Sequence, residues 1–260
     1  MKLRFLGTGA AVGVPSFFCS CVACKEAKAN SSLHRTRPSV ALEGEALYLL
    51  DASPDLSRQL SREGICQIDA LLLTHDHFDH CGGIGELESY VRVSRATAIP
   101  AYMSVETRDW LDRSYGYMSD CFAVTNWDVG VSVKLKGLAC TALEVQHAPG
   151  TVGVLLELNS GSRAAYVPDT GPLPEATKER LLGIETLILG ATFWKVNWMP
   201  ETHLSVQEAV EVGLSLGARN LYLTHVSMHY EPVTDRELVG YLQSCGSNVH
   251  LAYDGLSIEI

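Results

Sequence analysis

Positive charge is the first thing this sequence is short of. Its 20 Lys and Arg stand against 30 Asp and Glu, a formal net charge of −10. Nucleic-acid binding runs on clustered Lys and Arg that neutralise phosphates, so this balance argues against a nucleic-acid partner while leaving a few local arginines to grip a small phosphate. Long hydrophobic runs are missing too. Apolar stretches are strand-length and broken by Gly, Pro or charge, and none approaches the roughly 20 residues a membrane helix needs. The first seven residues, Met1 to Gly7, carry no sustained apolar region and no small-residue cleavage site, so a cytoplasmic protein without membrane contact is expected. Regular repeats, low-complexity segments and linkers are also absent. Residues 1–260 are therefore expected to form a single domain, large enough to bury a substantial core.

Of the 8 cysteines, Cys19, Cys21 and Cys24 cluster, whereas Cys66, Cys81, Cys121, Cys140 and Cys245 are scattered. That pattern suits a reduced compartment with one metal site better than a disulfide framework. A CxCxxC cluster in an irregular loop offers three thiolates to one cation, and a structural zinc would close with a fourth ligand from elsewhere in the fold.

The densest chemistry lies in Thr74 to His80, where three His and two Asp share seven residues directly after the mostly apolar run Ile68 to Leu73. The run reads as a short buried strand, and a strand end is a rigid mount for ligands. If the backbone turns after Thr74, His75 and His77 can converge on one cation while Asp79 and His80 point to a second; imidazole and carboxylate suit zinc, manganese and iron alike. Gly82 and Gly83 are expected to let the backbone pass close to those metals.

Further ligand-type residues follow other predicted strands. The segment Leu138 to Gln146 runs into His147, the pair Val152 to Leu158 and Arg163 to Pro168 ends at Asp169, and Asn220 to Thr224 ends at His225, with His229 four residues on. His203 stands just before Ser205, which caps a helix over 206–216. The segment Tyr115 to Trp127 reads as aromatic and irregular, either a core patch or a wall of the substrate pocket. His34 and His250 fall outside every cluster and read as structural or exposed.

A strand, HxHxDH, a later His, a later Asp and a last His near the C-terminus together resemble the metallo-β-lactamase superfamily over almost the whole chain. The resemblance implies an α/β fold of the αββα sandwich type, with two central mixed β-sheets packed face to face and helices outside. It implies that His75, His77 and His147 hold one divalent cation and Asp79, His80 and His225 a second, with Asp169 bridging them. Within the superfamily, CxCxxC after the Gly7-Thr8-Gly9 turn resembles the PhnP phosphodiesterases of phosphonate degradation. That likeness implies a structural zinc on Cys19, Cys21 and Cys24. Its fourth ligand there is a histidine three residues after the last active-site ligand; here position 228 is Met, and His229 comes one residue later. His203 matches the histidine that assists the leaving group or the phosphoryl oxygens, and it stands with Asp79 as a candidate catalytic residue.

The reaction this implies is hydrolysis of a small phosphate ester of the 5-phosphoribosyl 1,2-cyclic phosphate type, by a monomer or a homodimer. A second resemblance competes. Asp51 to Leu56, Thr192-Phe193-Trp194 and Ala252 to Gly255 look like PqqB of pyrroloquinoline quinone biosynthesis, implying an oxygen-dependent enzyme; PqqB usually lacks the intact HxHxDH set that this chain keeps. Ala-Thr-Phe followed by His-Leu also echoes the tRNA 3′-processing branch, against which the acidic composition argues. A non-catalytic metal-binding scaffold is the remaining alternative.

Overall fold

The computed structural model describes residues 1–260. In chain order the first half contains β1 (Lys2–Gly7), α1 (Val22–Ala29), β2 (Ser39–Glu43), β3 (Leu47–Leu50), α2 (Leu56–Glu63), β4 (Ala70–Leu72), α3 (Phe78–Cys81), α4 (Ile84–Tyr90), β5 (Ile99–Met103), α5 (Val105–Tyr115) and β6 (Phe122–Asn126). The second half contains β7 (Ser132–Leu135), β8 (Leu138–Glu144), β9 (Val152–Leu158), β10 (Arg163–Val167), α6 (Glu175–Leu181), β11 (Thr186–Gly190), α7 (Val206–Ser215), β12 (Asn220–Thr224), α8 (Asp235–Cys245), β13 (Val249–Leu251) and β14 (Ser257–Glu259). They build two seven-stranded sheets, ordered β14-β1-β2-β3-β4-β5-β6 and β13-β12-β11-β10-β9-β8-β7.

Both sheets are mixed. Pairing is antiparallel from β14 to β3 and parallel from β3 to β6 in the first sheet. In the second it is antiparallel from β7 to β10 and parallel from β10 to β13. Period-two alternation explains why the sheets must stack. In β3, Tyr48 and Leu50 join the cluster between the sheets while Leu49 faces outward; in β10, Ala164 and Tyr166 point in while Ala165 and Val167 point out. The outward residues are covered by α2, α4 and α5 on the first sheet, through Leu56, Ile84, Leu87 and Leu111. On the second they are covered by α1, α6, α7 and α8, through Ala23, Leu181, Val210 and Leu238. The expected four-layer sandwich is what the chain forms.

Three local expectations change. The cysteine cluster is not wholly in a loop, because helix α1 starts at Val22 and carries Cys24 in its first turn. The segment Tyr115 to Trp127 holds a regular strand, β6, and Met118, Cys121, Phe122 and Trp127 are buried core side chains, the core patch of the two readings. Gly83 serves packing: a Cβ there would lie 2.1 Å from the Ser53 carbonyl oxygen and 2.8 Å from Leu56 Cβ, so the glycine lets the α3–α4 turn press against the end of β3. His34 bonds to the Ala27 carbonyl oxygen through Nε2 and His250 stacks on Tyr222, so both are structural.

Candidate metal centre

Strand direction assembles the site. Strands β3 and β4 run parallel, as do β10, β11 and β12, and β8 shares the direction of β10 through two antiparallel steps. The carboxyl ends of these strands meet at one edge of the sandwich, the usual place for ligands in parallel sheets. Asp51 follows β3, His75 follows β4, His147 follows β8, Asp169 follows β10, Thr192 follows β11 and His225 follows β12. Beyond β4 the Thr74 carbonyl accepts from Val152 N across the sandwich at 3.0 Å, and the chain then turns into the four-residue helix α3, which presents Asp79 and His80 inward.

The seven predicted residues come together. His147 Nε2 lies 3.1 Å from His77 Nδ1, with the His75 ring beside both. Asp169 Oδ2 lies 2.7 Å from His80 Nε2 and 3.6 Å from His75 Nε2, while Asp79 Oδ2 is 3.2 Å from His225 Nε2. Two triads, His75–His77–His147 and Asp79–His80–His225, therefore flank Asp169. His203 joins from the α7 side, its Nδ1 3.2 Å from Asp169 Oδ1.

The other ring nitrogens are committed. His75 Nδ1 donates to Thr74 Oγ1 at 3.0 Å, His80 Nδ1 to Asp51 Oδ2 at 2.8 Å, and His147 Nδ1 to the Thr202 carbonyl at 2.9 Å. Those bonds fix the tautomers and turn each Nε2 to the centre, as metal-binding histidines require. Charge follows the same logic. Burial and the neighbouring His80 push the His75 imidazole well below its ordinary value and keep it neutral. Burial resists ionisation of Asp169, yet His225 and His80 outweigh it and hold the carboxyl well below the usual range; for Asp79, His80 and His225 do the same, down to about 2. Burial likewise opposes charge on His80, but Asp51, Asp79 and Asp169 raise it well above normal, so a cation taking its Nε2 must displace a proton. Buried His75 Nε2, His80 Nε2 and Asp169 Oδ1 have no hydrogen-bond partner. Convergent orphan atoms of this kind fit divalent cations.

Asp51 is the residue that motif spacing missed. It is fully buried in the left-handed region at φ 61°, and it accepts from Thr74 N, Thr74 Oγ1, His80 Nδ1 and Tyr166 Oη. The signal was available in its place, an acidic residue at the end of a strand leading to the same edge. His225 also adopts positive φ, 55°, a strained conformation of the kind that concentrates at functional positions.

A second cluster lies beside the first. His229 Nδ1 stands 3.4 Å from Cys19 Sγ, 3.8 Å from Cys21 Sγ and 3.7 Å from Cys24 Sγ, and its Nε2 donates to the Gly13 carbonyl at 2.8 Å. Tetrahedral zinc with S at about 2.3 Å and N at about 2.0–2.1 Å separates S from N by about 3.6 Å, so the four atoms fit one zinc, and the one-residue shift does not take His229 out of reach. The Cys21 amide and His229 lower the Cys19 thiol to about 6, while burial raises Cys24 to about 11.

The histidine–aspartate cluster opens into a cavity of about 150 Å³ walled by Ala10, Ala11, Val12, Phe193, Met199 and Tyr230 among others, with His77, Asp79, Asp169, His203 and His225 at its base. The larger cleft, about 690 Å³, touches the centre only at His147 and is otherwise built from the end of β8 and the loop after it, the start of α5, and Asp128 and Val129 between β6 and β7.

The sequence profile of the beta-lactamase superfamily domain matches residues 47–226, well over half of the chain and inclusive of all seven residues. The chain belongs to that superfamily. Among its relatives, Coenzyme PQQ synthesis protein B of Methylorubrum extorquens (strain AM1) is 32% identical over 220 residues, covering 74% of this chain and 73% of that protein. An Octanoyltransferase of Porphyromonas gingivalis (strain W83) is 26% identical over 268 residues; this superfamily member aligns along its full length but spans only about half, 52%, of that relative. A crystal structure of a diphosphatase from the PhnP family superposes with TM-score 0.85 and 28% identity, covering 100% of this chain and 96% of that one. The superfamily fold is one that binds divalent metals, and no helix here is long and apolar enough to cross a membrane.

Proposed function

We propose that this chain is a metal-dependent phosphodiesterase that hydrolyses a small cyclic phosphate ester of the 5-phosphoribosyl 1,2-cyclic phosphate type. One observation carries the reading: a complete two-cation donor set opens to a small cavity with His203 at its base. Held by the two triads and Asp169, a pair of zinc, manganese or iron cations would lower the pKa of water and neutralise phosphoryl oxygens. The chain's own groups do the rest. Asp79 and Asp169 stay ionised, Asp51, Thr74 and the Thr202 carbonyl hold the imidazoles in register, and the walls limit access of bulk water. His203 Nδ1 is bonded to Thr192 Oγ1 at 3.3 Å and lies 3.2 Å from Asp169 Oδ1, which leaves Nε2 towards the cavity. That nitrogen can hold a proton and pass it to the departing alkoxide. A third ion, zinc on Cys19, Cys21, Cys24 and His229, would clamp the N-terminal loop to the loop after β12.

This reading takes residues 1–260 as one cytoplasmic hydrolase domain, monomeric or homodimeric, with a small phosphate ester as partner rather than RNA. A PqqB-like oxygenase is the second reading, favoured by the 32% identical relative. Metal analysis followed by assays on bis(p-nitrophenyl) phosphate and a ribose cyclic phosphate separates them. Turnover is expected; oxygen uptake by the iron-loaded protein without ester cleavage would favour the oxygenase, and neither activity would leave a metal-binding scaffold.

A further inference from the structure

The cleft beside His147, at about 690 Å³, falls within the roughly 300–1,000 Å³ of small-molecule pockets, and the reaction proposed above makes no use of it. Its charge is one-sided. Glu106, Asp128 and Glu144 line it, no Lys or Arg does, and Val105, Val129 and Val145 supply apolar wall. A cleft lined by one sign of charge concentrates counter-ions from solvent.

Acidic side chains by themselves are ordinary on a chain of net charge −10. This cleft differs in being built. Thr151, which lines it, is only 6% exposed, and its Oγ1 has no hydrogen-bond partner, whereas buried hydroxyls nearly always have one. Gly150 stands at φ 77°, and a Cβ there would lie 2.6 Å from Glu106 Cβ and 3.0 Å from Glu106 Oε2, so the glycine lets Glu106 rest against the loop that carries His147. Asp128 Oδ1 accepts from Val105 N at 3.0 Å, which ties the β6–β7 connection to the first residue of α5.

The three carboxylates do not converge. Close donor groups occur at the cysteine cluster and around Asp169, and Glu106, Asp128 and Glu144 belong to none of them. A divalent cation gathers its oxygens within about 2.3–2.6 Å of one point, so a metal ion is a poor match. Separate carboxylates among valines suit separate ammonium groups on an aliphatic stem, which buries its methylenes and keeps its charges at the polar groups.

We infer that this cleft binds a linear aliphatic polyamine, with its ammonium groups paired to Glu106, Asp128 and Glu144 and its methylene chain on the valines. Thr151 Oγ1 accepts one of the N–H groups. The site meets the cation donors only at His147, and its occupation does not depend on what those donors catalyse.

Calorimetric titration of spermidine into the metal-loaded protein tests this, with the histidine and aspartate donors already filled. One saturable site is expected, weakened by added salt, with putrescine, one ammonium group shorter, binding less tightly. Glu106→Gln/Glu144→Gln should weaken spermidine about tenfold, the product of about two- to fivefold for each exposed ion pair, and leave the metal content unchanged. Thr151→Val should cost about threefold. Glu45→Gln/Glu211→Gln removes the same charge away from the cleft and should keep the wild-type affinity. Absence of saturable binding, equal losses in the two double variants, or displacement of spermidine by an equal concentration of magnesium overturns the polyamine site.

Discussion

The histidine–aspartate cluster and the cysteine cluster share the loop after β12 and are built in opposite ways. His225 and His229, four residues apart after β12, each belong to one of them. The first cluster draws on strand ends from both sheets, is mostly buried, and has its rings oriented by Asp51, Thr74 and Thr202. The second draws on an irregular loop, the first turn of α1 and one imidazole, with only Cys24 buried. The difference teaches where rigidity comes from. Strand ends are already fixed by the ladders, so ions bound there would be free for chemistry; the segment from Pro15 to Cys21 lies outside the strands and helices, and an ion held by the thiols and His229 would supply a cross-link. That link would reach across a sequence separation of 205 to 210 residues.

If the contrast holds, substitutions in the first cluster destroy activity with little loss of fold, and those in the second do the reverse. Asp169→Ala should give the largest effect, loss of bound metal together with a rate loss beyond the roughly 10²–10⁴-fold that a proton-transfer group supplies. Metal content by elemental analysis alongside kcat checks it, and a metal-replete inactive variant would contradict the bridging role. His203→Ala should keep its metals and lose turnover by about 10²–10⁴-fold. Equal loss of metal there would make His203 a ligand instead.

Asp51→Asn probes the support beneath His80, with metal affinity expected to fall about 10–100-fold, as for other groups that orient metal-binding histidines. A competition titration with a chelator measures it, and unchanged affinity would mean that His80 needs no such partner. Cys21→Ser should have the smallest effect on catalysis. It is expected to release one zinc and lower Tm on the order of 5–10 °C, as a loss of a few kcal/mol does in a chain of this length, while the folded fraction stays active. A full metal complement in that variant would remove Cys21 from the zinc site.

Most strands and the αββα class could be read from alternating apolar runs and from the resemblance that HxHxDH carries. Three elements escaped, the four-residue helix α3 among them, too short to show any period. Helix α1 is only eight residues long and contains Cys24 and two lysines, so its apolar face is too short to show a period. Strand β6 is an edge strand whose Ala123, Thr125 and Asn126 face solvent, which leaves no alternation strong enough to set against the aromatics before it. Asp51 escaped for another reason. Its carboxylate works through His80, and no spacing rule links residues that meet only across neighbouring strands.

The sequence by itself determined the donor chemistry: imidazoles, carboxylates and thiolates in HxHxDH and CxCxxC spacing, in an acidic chain without a membrane-length apolar helix. It also determined the period-two pattern that forces two sheets to stack. Only the tertiary structure decided that His147, Asp169 and His225 meet the Thr74–His80 loop, that His229 rather than position 228 faces the thiols, and that Phe193 and Tyr230 wall the cavity beside them. The physical reason is that side-chain identity sets which atoms can bind, whereas their convergence depends on strand direction and register, which the hydrogen-bond ladders establish between residues far apart in the chain.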